Sequence, residues 1–341
     1  MTTINDVAHR AGVTSATVSN VLTGRVGVSE KTRSRVQKAI EELGYRPNLV
    51  ARGLAQGKTH TIALIVPTIT NPFFSEVAEE VERVADKHDY QIILGTTHRL
   101  LEQGRRHLER MSSRWVDGFI VIDMAAAISD VLAVAQRHKP IVLCAWNQEL
   151  SANELPGVAI DFLYAGEVAT QYLLEIGHRR IATIMDEPMQ TERLQGYQRA
   201  LTAAGIVPSS AYMRHGDSSF EGGYRATIDL LALPEPPTAI FAGNDIMALG
   251  VIEAATDYHR SVPGDISVVG VDDIMLANHA HPPLTTISIP KRQMAQIATE
   301  LLLWLIAFPN SDEIPLKHFL RPHLVVRQST AQYALDPPPN S

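Results

Sequence analysis

From Thr61 onward the chain alternates short runs of Val, Ile and Leu with stretches of helical pattern, and this alternation limits the folds open to it. Continuous apolar strands separated by helices indicate parallel sheets covered on both faces. Because one ordinary sheet does not hold so many strands, a restart of the pattern near residue 162 predicts two doubly wound α/β lobes. The runs are "TIALIVP", "YQIILGTT", "VDGFIVID", "PIVLCAW" and "GVAID", then "RRIATIMD", "AYMRHGD", "TAIFAGND", "ISVVGVDD" and "LTTISIP".

The first 45 residues carry a different, all-helical pattern. A first helix begins at "TIND", where Thr3 and Asp6 form a capping-box pair, and Gly12 can supply the positive φ of the turn that follows. "TSATVSNVL" and a third helix from near Ser29 to Gly44 have apolar stripes at helical spacing. Two helices joined by a tight turn, with a third completing a small core, predict a helix-turn-helix head.

In a helix-turn-helix the N-terminal end of the second helix lies against base edges in the major groove. The small hydroxyl, methyl and amide groups of this helix suit hydrogen bonds to bases and contact with a thymine methyl. A plain three-helix bundle with polar outer residues is the alternative. The predicted base-contacting residues are Thr14, Ser15, Ala16, Thr17 and Asn20.

Charge is unevenly distributed along the chain, which has a formal net charge of −7. Residues 1–60 contain nine Lys or Arg against four acids, a balance of +5 that leaves −12 for the remainder. A basic head on an acidic body favours nucleic acid as the partner of the head.

Several other classes of protein lack support in the sequence. No run of 18 apolar residues exists and "MTTINDVAHR" lacks a secretory apolar core, so we expect a cytoplasmic protein with no membrane segment. Cys144, the single cysteine, is expected to be a buried apolar side chain. Asp272 and Asp273 are adjacent on a strand and so point to opposite faces, and no catalytic or metal-binding motif appears. We therefore predict no enzyme, cofactor or metal site.

"TINDVAHRAGVTSATVSNVL" followed by "VSEKTRSRVQKAIEELGYRPNLVARGL" resembles the head of the lactose-repressor/galactose-repressor family of bacterial transcription regulators. "NPFF", "VDGFIV", "IGHRRIA", "TAIFAGNDIMALG", "SVVGVDD" and "PPLTTI" follow in family order. The resemblance implies a ligand-responsive repressor that binds double-stranded palindromic operator DNA as a homodimer and is controlled by a small-molecule effector. A solute-binding protein for a transporter fits the body but not the head.

The resemblance also implies a division of the chain. Residues 1–46 form the DNA-binding head and 47–58 a hinge that becomes helical on operator DNA. A periplasmic-binding-protein-like body, 59–330, binds the effector and dimerises. The first lobe comprises about 59–160 and 291–320, the second about 161–290 and 321–330, and 331–341 form a tail expected to be disordered.

Within the hinge, Leu54 matches the leucine that family members wedge between central base pairs of the operator. A segment too short for a stable isolated helix can form one against DNA and a second copy. Insertion of an apolar side chain unstacks a base step and bends the duplex. Asn48 and Arg52 are expected to contact phosphates or the groove edge. A flexible linker is the alternative.

Ligands of open parallel sheets bind at the carboxyl ends of the strands, and this rule predicts the effector site. Carboxylates, amides and a guanidinium around aromatic faces suit a polyhydroxylated ring, because each buried hydroxyl needs a partner. An Asp after a strand can equally cap the next helix, and Asp245 in particular fits that role. The predicted effector-contacting residues are Phe73, Phe74, Trp146, Asn147, Asp161, Arg193, Asn244 and Asp272, with Arg193 placed by the resemblance.

The sequence leaves the effector open between a sugar and a purine or nucleoside. Purine-responsive family members stack the base between two aromatic rings, and Phe74 can supply one of them. The second ring is expected near Ser218, where the aromatic is displaced to Phe220, and this departure favours a sugar. Induction and co-repression both stay open. No leucine-rich helix follows Thr330, which favours a dimer over a tetramer.

Overall fold

The structure, a computed structural model, describes residues 2–22, 27–45, 58–112, 116–122, 126–137, 139–146, 155–309 and 317–333. The chain divides into two compact units, Met1–Thr59 and His60–Ser341. We call the first the head and the second the body.

Three helices form the head, and their ends are capped where the sequence predicts. Thr3 and Asp6 exchange the two hydrogen bonds of a capping box. Gly12 and Gly44 follow the first and third helices in the left-handed region, with φ of 59° and 56°. One fully buried valine from each helix packs at the centre, and these are Val7, Val18 and Val36. The helices are α1 (Ile4–Ala11), α2 (Ser15–Leu22) and α3 (Glu30–Leu43).

The body contains two six-stranded sheets. The strands of the first sheet are β1 (Thr61–Val66), β2 (Gln91–Thr96), β3 (Gly118–Ile122), β4 (Ile141–Trp146), β5 (Gly157–Ile160) and β11 (His318–Leu320). Those of the second are β6 (Ile181–Met185), β7 (Met213–His215), β8 (Ala239–Ala242), β9 (Ser267–Asp272), β10 (Thr285–Ser288) and β12 (His323–Val325).

The strand orders are β11-β5-β4-β3-β1-β2 and β12-β10-β9-β8-β6-β7. Neighbouring strands are parallel, except that β12 runs antiparallel to β10. Every residue of β3 and of β9 is buried, because helices cover both faces of each sheet. The predicted class, a helical head with two doubly wound parallel-sheet lobes, is confirmed.

Nine helices are described in the body. None of the helices in the described part of the chain is long and apolar enough to span a bilayer. They are α4 (Pro72–Asp86), α5 (Leu101–Ser112), α6 (Ile128–Ala135), α7 (Phe162–Glu175), α8 (Thr191–Ala203), α9 (Phe220–Leu231), α10 (Asp245–Asp257), α11 (Met275–His279) and α12 (Lys291–Ala307).

The chain passes between the two sheets three times: from β5 into α7, which packs on β8, β10 and β12 and leads to β6, from β10 to β11 through α12, and from β11 to β12. The helix α12 packs on α4, β3 and β4, so it covers the first sheet. The crossings therefore leave the first sheet at β5 and β11, on one side of that sheet, and reach the second sheet through α7, β10 and β12.

Cys144 lies in the middle of β4 and is fully buried, as predicted. Burial raises the pKa of its thiol to about 12. Because the thiolate is the reactive form, this cysteine is a packing residue.

His178 lies where three strands of the second sheet begin. Its Nδ1 is 2.9 Å from Oγ1 of Thr238, just before β8, and its Nε2 is 3.0 Å from Oγ of Ser267, the first residue of β9. The ring is 2% exposed, and its centroid lies 5.3 Å from that of Tyr333. Burial lowers the pKa of His178 to about 4, so the imidazole is neutral in the folded protein.

We expect His178 to make the body less stable in mild acid. The unfolded chain takes up a proton near the ordinary histidine pKa of about 6.5, whereas the folded chain does so only near 4. The effect of His178 on the free energy of unfolding is therefore absent above pH 6.5. The free energy of unfolding falls as the pH decreases from 6.5 toward 4, and about 2 kcal/mol is lost at pH 5. Urea unfolding at pH 7.5 and 5.0, followed by tryptophan fluorescence, measures this loss.

His178→Gln is the matched variant, because its amide can still bond to hydroxyls but does not titrate. The pH-dependent loss of stability is expected to be smaller in the variant by about 2 kcal/mol. The other histidines contribute equally to both proteins. An identical loss in both would contradict the assignment to His178.

Candidate DNA-binding head and ligand cavity

A cavity lies at the carboxyl ends of the strands, with walls from both lobes. It encloses about 540 Å³, including its opening to solvent. The lining residues of the first lobe are Pro67, Asn71, Phe73, Phe74, Arg99 and Ala145, and those of the second are Phe162, Met189, Gln190, Arg193, Ser218, Asn244 and Asp272.

The structure brings five of the predicted effector-contacting residues to this cavity: Phe73, Phe74, Arg193, Asn244 and Asp272. Phe73 and Phe74 occupy the first turn of α4, whose start is fixed by the Asn71 side chain accepting from the Phe73 N–H at 2.9 Å. Their rings pack edge to face, with centroids 5.1 Å apart and planes at 89°. Only 5% and 6% of these residues is exposed, so they pack mainly against the core.

Arg193, in the first turn of α8, is the best-positioned charged group of the cavity. Its guanidinium lies 4.3 Å from the ring centroid of Phe162, and its Nη1 donates to the Gly243 carbonyl at 2.6 Å. Arginine carries five N–H donors in a planar fork, so this bond leaves donors for a ligand. The stacked ring and the carbonyl together restrict the rotamers of the side chain.

Asn244 lines the cavity, but both ends of its side chain serve the fold. Its Oδ1 accepts from the Met247 N–H at 2.8 Å and so caps α10, and its Nδ2 donates to the Ser218 carbonyl at 3.3 Å. The sequence assigned this cap to Asp245, and the structure corrects that assignment.

Asp245 is fully buried one residue further on. Its carboxyl group accepts from Oγ1 of Thr286 at 2.5 Å and from the Ile274 N–H at 2.9 Å. Burial and the neighbouring Asp272 raise the pKa of Asp245 well above its usual range. This acid therefore braces β10 and the chain after β9 without lining the cavity.

The remaining predicted cavity residues differ in placement. Asp161 caps α7 by accepting from the Tyr164 N–H at 2.9 Å, and it does not line the cavity. Trp146 ends β4, but its side chain lies outside the part of the molecule that is described, as does Asn147. Asp272 ends β9 with φ of 117° and is 5% exposed.

Sequence reasoning did not assign five polar or aromatic groups to the cavity lining: Asn71, Arg99, Phe162, Gln190 and Ser218. Applying the strand-end rule to β2 and β6 as well would have found the segments "THRL" and "DEPMQ" that contain Arg99 and Gln190. Ser218 has a φ of 57°, which its sequence context does not reveal.

In the head, three of the predicted base-contacting residues hold the start of α2 in place. The Thr14 hydroxyl accepts from the Thr17 N–H at 3.2 Å, and the two hydroxyls are 3.0 Å apart. The Ser15 hydroxyl donates to Oδ1 of Asn5 on α1 at 2.7 Å. Ala16 is exposed and Asn20 partly exposed. The predicted hinge residues Asn48, Arg52 and Leu54 lie outside the described residues.

Arg35 on α3 fixes the turn between α1 and α2. Its guanidinium donates to the carbonyl groups of Ala11 and Gly12, the Gly12 bond being 3.0 Å long. These carbonyls end α1 and have no partner within the helix, so the arginine satisfies them from outside. Arg35 thereby ties α3 to the turn between α1 and α2.

A helix-turn-helix head and a two-lobed α/β body with a cleft between its lobes define the class of ligand-responsive DNA-binding regulators. Residues 3–48 match the bacterial regulatory proteins of the lacI family, and residues 170–330 match a periplasmic binding protein-like domain. The chain belongs to the lacI family of bacterial transcriptional regulators.

Three known proteins illustrate the match. Catabolite control protein A of Priestia megaterium is 37% identical over 333 residues, which are 96% of this chain and 99% of the relative. The ribose operon repressor of Escherichia coli strain K12 is 37% identical over 334 residues, 96% of this chain and 100% of the relative. The Lac repressor dimer bound to operator and an anti-inducer superposes with a TM-score of 0.86 at 28% identity, covering 97% of this chain and 99% of that one.

Proposed function

We propose that this chain is a homodimeric repressor of a bacterial operon, and that a small molecule bound between its lobes controls its hold on a palindromic operator. The observation that carries the proposal is the cleft with walls from both lobes in a chain with a helix-turn-helix head. The similar Lac repressor is a dimer bound to operator, which supports the same assembly here. This function consists of effector binding, operator binding and dimerisation, and it includes no enzymatic activity.

The effector that best fits the cavity is a sugar or sugar derivative. Its polar lining includes both donor and acceptor groups, with Arg193, Gln190, Ser218 and Asp272 on the second lobe. Such a mixture suits ring hydroxyls, each of which both donates and accepts. The family resemblance puts the second stacking ring of purine-responsive members near Ser218, and the aromatic residue of that segment, Phe220, does not line the cavity. This favours a sugar over a purine. The similarity to a ribose operon repressor supports the same choice.

In the head, we assign Ala16 and Asn20 to contacts with base edges in the major groove. Thr14, Ser15 and Thr17 position α2 through the bonds described above, and we assign their hydroxyls to contacts with DNA as well. In the hinge, 47–58, we assign Leu54 to the minor-groove wedge and Asn48 and Arg52 to the backbone. Residues 1–46 are then the DNA reader and 59–330 the effector-binding and dimerisation body.

The switch follows from the connection of each head to a first lobe. A ligand that contacts both lobes binds their closed arrangement more tightly, and it shifts the equilibrium by that difference in affinity alone. A change of lobe arrangement alters the separation of the two hinges and hence the stability of hinge helices on DNA. By linkage, operator DNA changes the affinity for the effector by the same factor.

Selection of binding sites from a randomised duplex library tests the proposal. The wild-type protein is expected to enrich a palindrome with a pyrimidine–purine step at its centre, since such steps unstack easily. Ribose, cellobiose and adenosine, added separately, test the sugar and nucleoside classes. No enrichment in any condition would exclude a sequence-reading head and leave a solute-binding protein.

Asn20→Ala is expected to relax base preference at one position of each half-site, with a loss of discrimination of about 1–3 kcal/mol. Gln37→Ala is the matched control, because it removes an exposed amide from α3 rather than α2. The same preference in both variants and in wild type would remove Asn20 from the reading set.

A further inference from the structure

Arg99 and Asp186 form an ion pair that joins the two lobes. Arg99 follows β2 of the first sheet and Asp186 directly follows β6 of the second, and Nη1 lies 2.6 Å from Oδ2. The side chains are only 26% and 13% exposed. Water screens such a pair less than it screens an ion pair on the open surface. The bond therefore links the lobes more firmly than a surface pair would.

The pair lies on the side of the cavity remote from the chain crossings. In the first sheet β2 is four strands from β5, which is about 19 Å at the usual strand spacing. In the second sheet β6 is three strands from β10, about 14 Å. When the lobes open by a hinge motion at the chain crossings, the distance between the lobes increases most on this side. A bond at this position consequently resists opening more than a bond near the crossings.

Neighbouring interactions and the local backbone conformation position both residues for this contact. Oδ2 of Asp186 also accepts from Oγ of Ser218 at 2.7 Å, and the Asp186 N–H donates to Oε1 of Gln190 at 2.9 Å. On the first lobe, His98 and Arg99 adopt consecutive positive φ values of 49° and 62°. This region is disfavoured for residues other than glycine. The loop after β2 is thus held in an unfavourable backbone conformation that places Arg99 at the cavity.

We propose that the Arg99–Asp186 pair is a latch that holds the lobes together at this side and sets the balance between closed and open lobes. The consequence for DNA binding rests on the proposed function. Because walls from both lobes form the cavity, a ligand binds the closed state, and its apparent affinity scales with the fraction of closed protein. The latch raises that fraction and makes the regulator responsive to lower ligand concentrations.

Pulsed dipolar spectroscopy on the full-length, ligand-free protein tests the latch. Nitroxides are attached through Ser129→Cys and Glu221→Cys, at exposed residues in the first turns of α6 and α9. Cys144 is fully buried and is not expected to react. Excess unlabelled protein keeps the measured distances within one chain. Arg99→Gln and Asp186→Asn are each expected to lower the closed-to-open ratio about tenfold. The double variant is expected to open no further than either single one.

Arg225→Gln is the control, because it removes an exposed ion pair with Asp217 that lies within the second lobe at 3.1 Å. The distances between the two nitroxides in this variant are expected to match those of the wild type. Arg99→Lys keeps the positive charge, so its closed population is expected to lie between those of Arg99→Gln and the wild type. Unchanged distances in both Arg99→Gln and Asp186→Asn would overturn the latch.

Operator affinity, measured in the same preparations, is expected to shift several-fold in one common direction for the two single variants. Altered distances with unchanged operator affinity would contradict the coupling of the latch to DNA. A wild-type protein without specific DNA binding would overturn the proposed function, and the distances would still decide the latch.

Discussion

Arg193→Leu is expected to weaken effector binding about 100-fold and to leave operator binding by the ligand-free protein unchanged. Hydrogen bonds to charged groups contribute about 1.5–3 kcal/mol each, and leucine makes none of them. The stack on Phe162 and the bond to Gly243 pre-orient the guanidinium, so little rotamer entropy is lost when a ligand binds. Calorimetry with the sugar that alters operator binding measures the loss.

Two further variants separate recognition from packing. Arg193→Lys keeps the charge but not the planar fork, and we expect it to lose about tenfold in affinity. Arg199→Leu removes an arginine from the same helix, where the side chain is 65% exposed and 3.7 Å from Glu167. Affinity is expected to be unchanged in that control. An Arg193→Leu protein that binds the sugar as tightly as wild type would remove Arg193 from the site.

Gly166→Ala is expected to destabilise the body by about 2–3 kcal/mol and to weaken effector binding at the same time. Helices α7 and α8 touch through paired glycines, and a Cβ on Gly166 would lie 2.1 Å from the carbonyl oxygen of Arg193. The reciprocal Cβ on Gly196 would lie 2.1 Å from the Leu163 carbonyl oxygen. Because a backbone atom cannot rotate away, α8 must move, and Arg193 moves with its first turn. Urea unfolding and calorimetry on one preparation measure both effects.

Gly250→Ala supplies the matched control. Its Cβ would lie 2.1 Å from the Phe220 carbonyl oxygen, so it forces apart α9 and α10 to the same extent. Phe220 does not line the cavity. We expect a comparable loss of stability with a smaller loss of sugar affinity. Equal losses of affinity in the two variants would show that general loosening of the lobe, rather than displacement of Arg193, weakens binding.

The sequence predicts the sheets well because their strands are continuous apolar runs, and it predicts the head because caps and stripes agree there. The strand β11 gives no such signal, since it is three residues long and Phe319 within it is 50% exposed. Only its pairing with β5 makes it a strand.

The cavity was only partly predictable, for two physical reasons. Carboxylates and amides after strands serve both as helix caps and as ligand contacts, and the choice depends on where backbone N–H groups point. Asp161 and Asn244 both cap helices for this reason. Arg99 reaches the cavity through two positive φ angles, which no pattern of residue types reveals.

The three passages of the chain between the sheets also have a consequence for synthesis on the ribosome. The first lobe lacks its edge strand β11 until residue 320 has been added, and the second lacks β12 until residue 325. Until then the backbone edges of β5 and β10 are open to pairing with other chains. Both sheets are therefore completed almost together, once residues 318–325 have been added.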